Sequence, residues 1–298
     1  MSSLTTFTFD NHVAHGALVR LHTGVHELLD SRVYSPDLRE LLGQAMAAMP
    51  LLATHLNFEG RINLQFQSLP GTRTIAAPKT QLLVAQIDHR LRVRAMAKAA
   101  PDAVGTFREL LEGGVLALMV EPTGDNKRPP SQALVLIEGE RLEQALESYF
   151  ERSEQLPTLI RLAVRGDELA GFMLQRLPLE SAQGGQEDWE HLRILATTLT
   201  PDELLDADPD RLLLNLFADA PPLRRFEPRE VHVACNCDRA GISRLLIGLG
   251  REEVDSILAE QGSASVTCEF CGRDYVFTAA EARELFVAAS IVPSGTRH

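Results

Sequence analysis

The chain has 298 residues, 45% of them hydrophobic and 23% charged, with a formal net charge of −12. That length accommodates a large domain with a smaller companion, and the hydrophobic share fills a substantial core. The acidic balance argues against nucleic acid as the main ligand, and no stretch approaches the roughly 18 uncharged apolar residues of a membrane helix, so neither partner is expected.

A short opening strand is predicted at residues 6–9, and residues 12–29 carry a mixed pattern. Ser35-Pro36 reads as an N-cap and first helical position, followed by Leu38, Leu41, Leu42, Ala45, Met49 and Leu52 at three-to-four spacing. The period then drops to two. Ile62, Leu64 and Phe66 alternate with Asn63, Gln65 and Gln67, and Leu91, Val93, Ala95 and Ala97 alternate with Arg92, Arg94 and Met96. Residues 81–87, 115–120 and 132–137 are more continuously apolar, the pattern of buried strands. A helix over 140–152 sets Leu142, Ala145, Leu146, Tyr149 and Phe150 on one side, and strands over 158–164 and 169–177 follow. Residues 1–178 thus predict an α+β domain of antiparallel sheets with a few helices.

Residues 178–187, with Ser181, Gly184 and Gly185, have no periodicity and mark a boundary. Helices return with Trp189, Leu192, Leu195, Ala196 and Leu199, then with the capping box Thr200-Pro201-Asp202-Glu203, then from Asp208-Pro209 to Phe217. Pro221-Pro222 ends the run. Residues 180–230 hold twelve acidic residues against five arginines, so more than half of the net charge lies there. The plain reading is three surface helices with a solvated acidic face. The sharper one is a helical linker over 179–230, because helices of about three turns owe most of their stability to docking.

The four cysteines of the chain all follow, as Cys235-Asn236-Cys237 and, after thirty intervening residues, Cys268-Glu269-Phe270-Cys271. Around them are helical patterns at 242–249 and 252–258, a stop at Gly262, a strand at 275–277 and a last helix at 279–288. Two close pairs joined by a loop of helix-forming length bring four thiolates to one point, and tetrahedral Zn²⁺ at about 2.3 Å per sulfur is the expected occupant. Disulfides in the resting protein are the alternative. The N-terminal residues lack the basic and apolar regions of a secretory leader, which points to the cytoplasm, where thiols stay reduced. Residues 231–298 carry six arginines against nine acidic residues, whereas a DNA-reading zinc module is usually basic. With few large apolar side chains, a domain over 231–290 is not expected to stay folded without its metal.

Four thiolates fill the coordination shell and leave no position for water or substrate, so the site is structural or regulatory and no enzyme is expected. Metal-bound sulfur stays deprotonated, and the thiolate is the form that oxidants attack. Cys268 and Cys271 have the spacing of an ordinary redox pair, and Cys235 and Cys237 can close a smaller, strained ring. His232 is an alternative ligand that a complete all-Cys set does not need. His12, His15, His22 and His26 have mixed spacing and read as ordinary surface or packed histidines. Glu59 and Glu154 have no nucleophile or base beside them in sequence.

The Cys-x-Cys and Cys-x-x-Cys pairs, with Val266-Thr267-Cys268-Glu269-Phe270-Cys271, Gly250-Arg251-Glu252-Glu253-Val254, Phe226-Glu227-Pro228-Arg229 and the run Tyr149 to Thr158, resemble the redox-regulated heat-shock holdase family known as the 33 kDa chaperonin. Residues 16–20 and Phe58-Glu59-Gly60-Arg61 fit too, while 71–81 and 125–131 depart from the family's wording. The resemblance implies a cytoplasmic, ATP-independent chaperone, inactive while reduced and zinc-loaded. On oxidation Cys235 pairs with Cys237 and Cys268 with Cys271, zinc leaves, and the tail and acidic linker unfold. Apolar surface then holds unfolding client proteins, and active members tend to form homodimers. Gly113-Gly114 and Gly184-Gly185 lack the following Lys-Ser/Thr of a phosphate loop. Two further readings stand beside this one: a constitutive zinc-stabilised interaction module, and a thiol-disulfide oxidoreductase using Cys268 and Cys271.

Overall fold

Runs of alternating residues become sheets here, and the one long apolar helix lies between two of them. The computed structural model describes residues 1–55, 59–68, 79–122, 129–137, 139–178 and 185–291. These form two compact units, Met1–Ala234 and Cys235–His298. The boundary marks Ser181 and Gly184, the family-like Phe58 and most of the divergent stretches 71–81 and 125–131 lie outside the described residues.

In the first unit, β1 (Ser3–Phe9), β2 (Ala14–Leu21), α1 (Val25–Leu29) and α2 (Pro36–Leu52) precede three strands, β3 (Gly60–Ser68), β4 (Thr80–Asp88) and β5 (Arg92–Ala99). Next come α3 (Phe107–Leu110), β6 (Gly114–Pro122), β7 (Ser131–Val135), α4 (Leu142–Tyr149), β8 (Thr158–Arg165) and β9 (Glu168–Arg176). Helices α5 (Gln186–Thr197), α6 (Pro201–Asp206) and α7 (Pro209–Leu216) and the short strands β10 (Leu223–Arg225), β11 (Arg229–Glu230) and β12 (His232–Val233) complete it. One sheet runs β10-β1-β2-β9-β8 with β11 also on β1, and the other runs β12-β5-β4-β3-β6-β7. The fold is α+β, and the pairings are antiparallel except β12 on β5, which is parallel.

Helix α2 starts as its sequence predicts, with Ser35 Oγ accepting from the Leu38 amide at 3.3 Å and Pro36 at the first position. Its apolar face is wider than the predicted stripe. Gly43, Ala47, Ala48 and Leu51 are buried as well, because α2 packs against β2, β8 and β9 on one side and β4 and β5 on the other. Gly171 permits the approach, since a Cβ there would sit 3.0 Å from Leu51 Cδ1 and 3.2 Å from the Ala47 carbonyl oxygen. Strand β9 is buried on both faces. Gly171 faces α2, while Ala170, Phe172 and Leu174 join a core with Phe7, Phe9 and Leu18 and with Trp189, Leu192, Leu204, Leu212, Leu213 and Phe217 from the acidic segment.

The three acidic helices are thus docked on the first sheet. The capping box at Thr200 and Glu203 forms, and Asp208 caps α7 through the Arg211 amide at 3.1 Å. Arg20 on β2 donates to the Leu204 carbonyl at 3.1 Å and to that of Ala207, holding the C-terminal end of α6. Arg165 adds ion pairs to Glu168 at 2.8 Å and to Asp206.

Two predicted elements change character. Residues 132–137 were expected to be a buried strand, but β7 is an edge strand with Leu134 59% and nearby Leu136 48% exposed, so its apolar run reflects an open edge. The helix over 140–152 is α4 followed by a π-helical turn, Phe150–Glu154, ending at Gln155 with φ 56°. Tyr149 donates to Glu154 Oε1 at 2.7 Å across that turn.

The second unit contains α8 (Arg239–Leu249), α9 (Arg251–Gln261), the hairpin β13 (Ser263–Thr267) and β14 (Asp274–Thr278), and α10 (Ala279–Ile291). Its core is small, built on Leu246, Val254, Leu258, Tyr275, Phe277 and Phe286, with the cysteines packed against it.

Candidate metal centre

The two cysteine pairs reach the same point by different local routes. Cys235 and Cys237 lie on the stretch entering α8, whose N-cap Asp238 accepts from the Gly241 amide at 2.6 Å. Cys268 and Cys271 lie in the tight turn between β13 and β14. There the Gly272 amide donates to the Cys268 carbonyl at 2.8 Å, and the Cys268 amide to that of Arg273, also at 2.8 Å. Gly272 has φ 69°, a left-handed conformation that glycine adopts without strain.

The four Sγ atoms lie within 4.8 Å of one another. Cys235 and Cys268 sulfurs are 3.6 Å apart and those of Cys237 and Cys271 are 3.4 Å apart, so no disulfide joins them. Four sulfurs about 2.3 Å from a common tetrahedral centre stand about 3.8 Å from each other. The donor set therefore fits a soft or borderline cation held wholly by protein sulfur.

Cys268 is buried and the others are half-buried. Burial opposes the Cys237 thiolate, but hydrogen bonds from Tyr275 and the neighbouring thiols outweigh it and lower that group to about 7. The Tyr275 hydroxyl stands 3.2 Å from Cys237 Sγ and 3.1 Å from the Cys237 carbonyl. Burial is the main influence that moves Cys271 the other way, upward. Tyr275 escaped the sequence reading, where it served only as a strand residue. Its signal was its place four residues beyond Cys271, in the strand that leaves the second pair. Arg239 clamps the module from outside, 4.2 Å over the Phe277 ring and 2.7 Å from Glu281 Oε1.

The other residues weighed from sequence do not gather. His232 is half exposed, stands 3.8 Å from Glu230, and is not one of the clustered ligands. His12 and His22 flank opposite ends of β2, and His26 pairs with Asp30 at 3.0 Å. Among the described residues the four cysteines form the one group of potential ligands of this kind, and no helix is long and apolar enough to cross a membrane.

An all-sulfur cluster at the hub of a small module, following a two-sheet α+β unit, defines a protein with a candidate metal site held by cysteine alone. Its likeness to known proteins extends over nearly the whole chain. The model of the Hsp33 protein family matches residues 2–278. A 33 kDa chaperonin of Nitrosococcus oceani is 38% identical over 298 residues, covering 99% of this chain and 98% of the relative. One from Chromobacterium violaceum is 38% identical over 285 residues, covering 95% and 93%. The crystal structure of a 33 kDa chaperonin from Thermotoga maritima shares the fold at TM-score 0.75 with 22% identity, covering 97% of this chain and 99% of that one. The chain belongs to the Hsp33 family, and its homologues support a chaperone role.

Proposed function

We propose that this protein is a redox-regulated, ATP-independent holdase of the cytoplasm. In the reduced state Cys235, Cys237, Cys268 and Cys271 hold Zn²⁺ and the protein is inactive. Oxidation joins Cys235 to Cys237 and Cys268 to Cys271. With peroxide as oxidant, each pair of thiols loses two electrons and two protons, and each peroxide becomes two waters. Zinc, deprived of its ligands, leaves.

The observation that carries this reading is the position of the sulfurs within the module's small core. A structural zinc site contributes on the order of 10 kcal/mol near pH 7, more than such a core can replace. Sequence-adjacent pairing is also the pairing that survives melting. Cys235 and Cys237, or Cys268 and Cys271, remain neighbours in an unfolded chain, whereas the spatially close partners are 33 and 34 residues apart.

Unfolding of residues 179–230 then uncovers the face formed by Phe7, Phe9, Phe172 and Leu174, an apolar surface for unfolded clients. The freed surface also favours a homodimer of the active form.

The test uses the zinc-loaded, reduced protein treated with peroxide at mildly raised temperature. Zinc release, thiol loss, disulfide mapping and suppression of aggregation of a denaturing client are followed together. The expected result is loss of four thiols with the two local disulfides, zinc release and gain of protection. Equal protection by the reduced form, or zinc loss without protection, overturns the proposal.

A further inference from the structure

A reagent that attacks the sulfur cluster approaches a negative surface. A divalent cation held by four thiolates keeps two negative charges in excess, and Glu269 stands exposed between Cys268 and Cys271. Cys235, Cys237 and Cys271 are half-buried, so the approach lies on their side. Such a surface repels an anion and is indifferent to a neutral molecule.

One cation is built into the same face. The hairpin pairs Thr267 with Asp274, and the Cys268 amide donates to the Arg273 carbonyl at 2.8 Å, which carries the pairing one residue further and sets Arg273 opposite Cys268. Successive side chains of a strand alternate between faces. Arg273 therefore shares a face with Tyr275 and Phe277, the two buried residues of β14, while its own side chain is exposed. Tyr275 is the residue whose hydroxyl reaches Cys237 Sγ at 3.2 Å. The Arg273 guanidinium hydrogen-bonds Tyr275, and with the charges of Tyr275, Cys237 and Cys271 this holds it above its ordinary pKa.

The other charged groups of the module are engaged elsewhere. Arg239 lies over Phe277 and pairs with Glu281, and Arg251 lies 5.3 Å over Phe286. Asp274 alternates to the opposite face, where it accepts from Thr267 Oγ1 at 2.5 Å, and Asp238 caps α8. Arg273 is thus an exposed guanidinium tied to the cluster through Tyr275. Its planar fork suits an oxyanion, which two parallel N–H donors can hold.

We propose that Arg273 makes this site selective for oxidants that are peroxy anions, of which peroxymonocarbonate, the adduct of hydrogen peroxide and hydrogencarbonate, is a simple case. This rests on the reading of the four cysteines as an oxidation switch. The outer peroxo oxygen passes to one thiolate sulfur as the O–O bond breaks, hydrogencarbonate leaves, and the second thiolate of the pair displaces that oxygen as water. In balance, two thiolates, one peroxymonocarbonate anion and two protons give one disulfide, one hydrogencarbonate and one water, the two electrons lost by sulfur having reduced the O–O bond.

The test compares peroxymonosulfate, an anion, with hydrogen peroxide, which is neutral, on the full-length, zinc-loaded, reduced protein. Initial rates of thiol loss and of zinc release to a chromogenic chelator are read at low and high salt. R273Q is expected to lower the ratio of the anion rate to the peroxide rate about threefold at low salt, the effect of one nearby unit charge in water. R273E lowers it by about that factor again, R273K preserves it, and high salt erases the differences. Added hydrogencarbonate should speed peroxide-driven release more in the wild type than in R273Q. A ratio that R273Q leaves unchanged overturns the proposal. So does an R273K protein that behaves like R273Q, which would assign the effect to the hydrogen bond with Tyr275 and not to charge. Failure of the holdase reading looks different: thiols and zinc are lost with the charge dependence intact, and no client is protected.

Discussion

Substituting Phe217 with alanine tests whether the acidic helices form a separable cover. Phe217 is 4% exposed and packs edge-on against Phe9 at 5.0 Å, with Phe7 at 6.0 Å and Phe172 at 6.4 Å between ring centroids. It is the last apolar anchor of α7, beyond Leu212 and Leu213. A buried Phe→Ala change costs about 3–5 kcal/mol, which includes the edge-to-face contacts. At roughly 1.4 kcal/mol per factor of ten, the opening equilibrium of the docked segment rises by about two to three and a half orders of magnitude. Amide exchange across α5, α6 and α7 should accelerate by that factor while β2 and β9 amides keep their protection, and the reduced protein should gain partial client protection. Equal acceleration in β2 and β9 would show that the segment opens only with the whole sheet, and the separable-cover argument would fail.

Chelation of the metal under reducing conditions should melt α8 to α10, lowering helical circular dichroism and freeing amides of residues 235–291 while β3 and β4 stay protected; persistent protection would mean the core suffices alone. Y275F removes the hydroxyl beside Cys237 and keeps the ring, so metal affinity should fall about tenfold, as for other partners of metal ligands, in competition with a chromogenic chelator. Asp88 shapes the turn between β4 and β5 by accepting from the Arg90 and Arg92 amides at 3.0 and 3.1 Å. Burial raises its pKa, but these bonds and the Arg92 guanidinium outweigh that and lower it. A depressed carboxylate stabilises the fold at pH above its unfolded value of about 4 and loses that contribution as pH falls through the folded value. D88A should therefore cost about 1–2 kcal/mol at pH 7 in denaturant titrations and progressively less below pH 4. A penalty that is flat across that range would refute the charge assignment.

The sequence was legible where one face of an element meets water. Ile62, Leu64 and Phe66 alternate because β3 has one strongly buried face, and Ser35, Thr200 and Asp208 mark helix starts because their side chains cap the amides three residues on. It was illegible where burial is two-sided or pairing alone makes the element. Strand β2 has α2 on one side and the acidic helices' core on the other, so Ala14 to Leu21 shows no period. Strands β10, β11 and β12 exist because β1 and β5 offer them an edge, which no local pattern encodes. The convergence of the four cysteines was legible in their spacing, since two short thiol pairs joined by a helix-forming stretch can meet at one point. Its tuning was not: Tyr275 touches Cys237 only because the β13–β14 hairpin folds back over the first pair.

The charge pattern of residues 180–230 joins these strands of argument. In the docked state its acids are partly offset: Arg165 meets Asp206, and Arg225 meets Asp210 at 2.6 Å. Arg20 holds the carbonyl end of α6, and aromatic rings underneath supply the attraction. Twelve acidic residues against five arginines remain mutually repulsive, and that repulsion does little while apolar burial holds the helices down. Once the helices lift, burial no longer opposes it, and a segment this acidic, whose docked leucines have lost their partner, favours an extended chain. On the proposed function, the same composition therefore discourages the cover, once lifted, from settling back over the aromatic face.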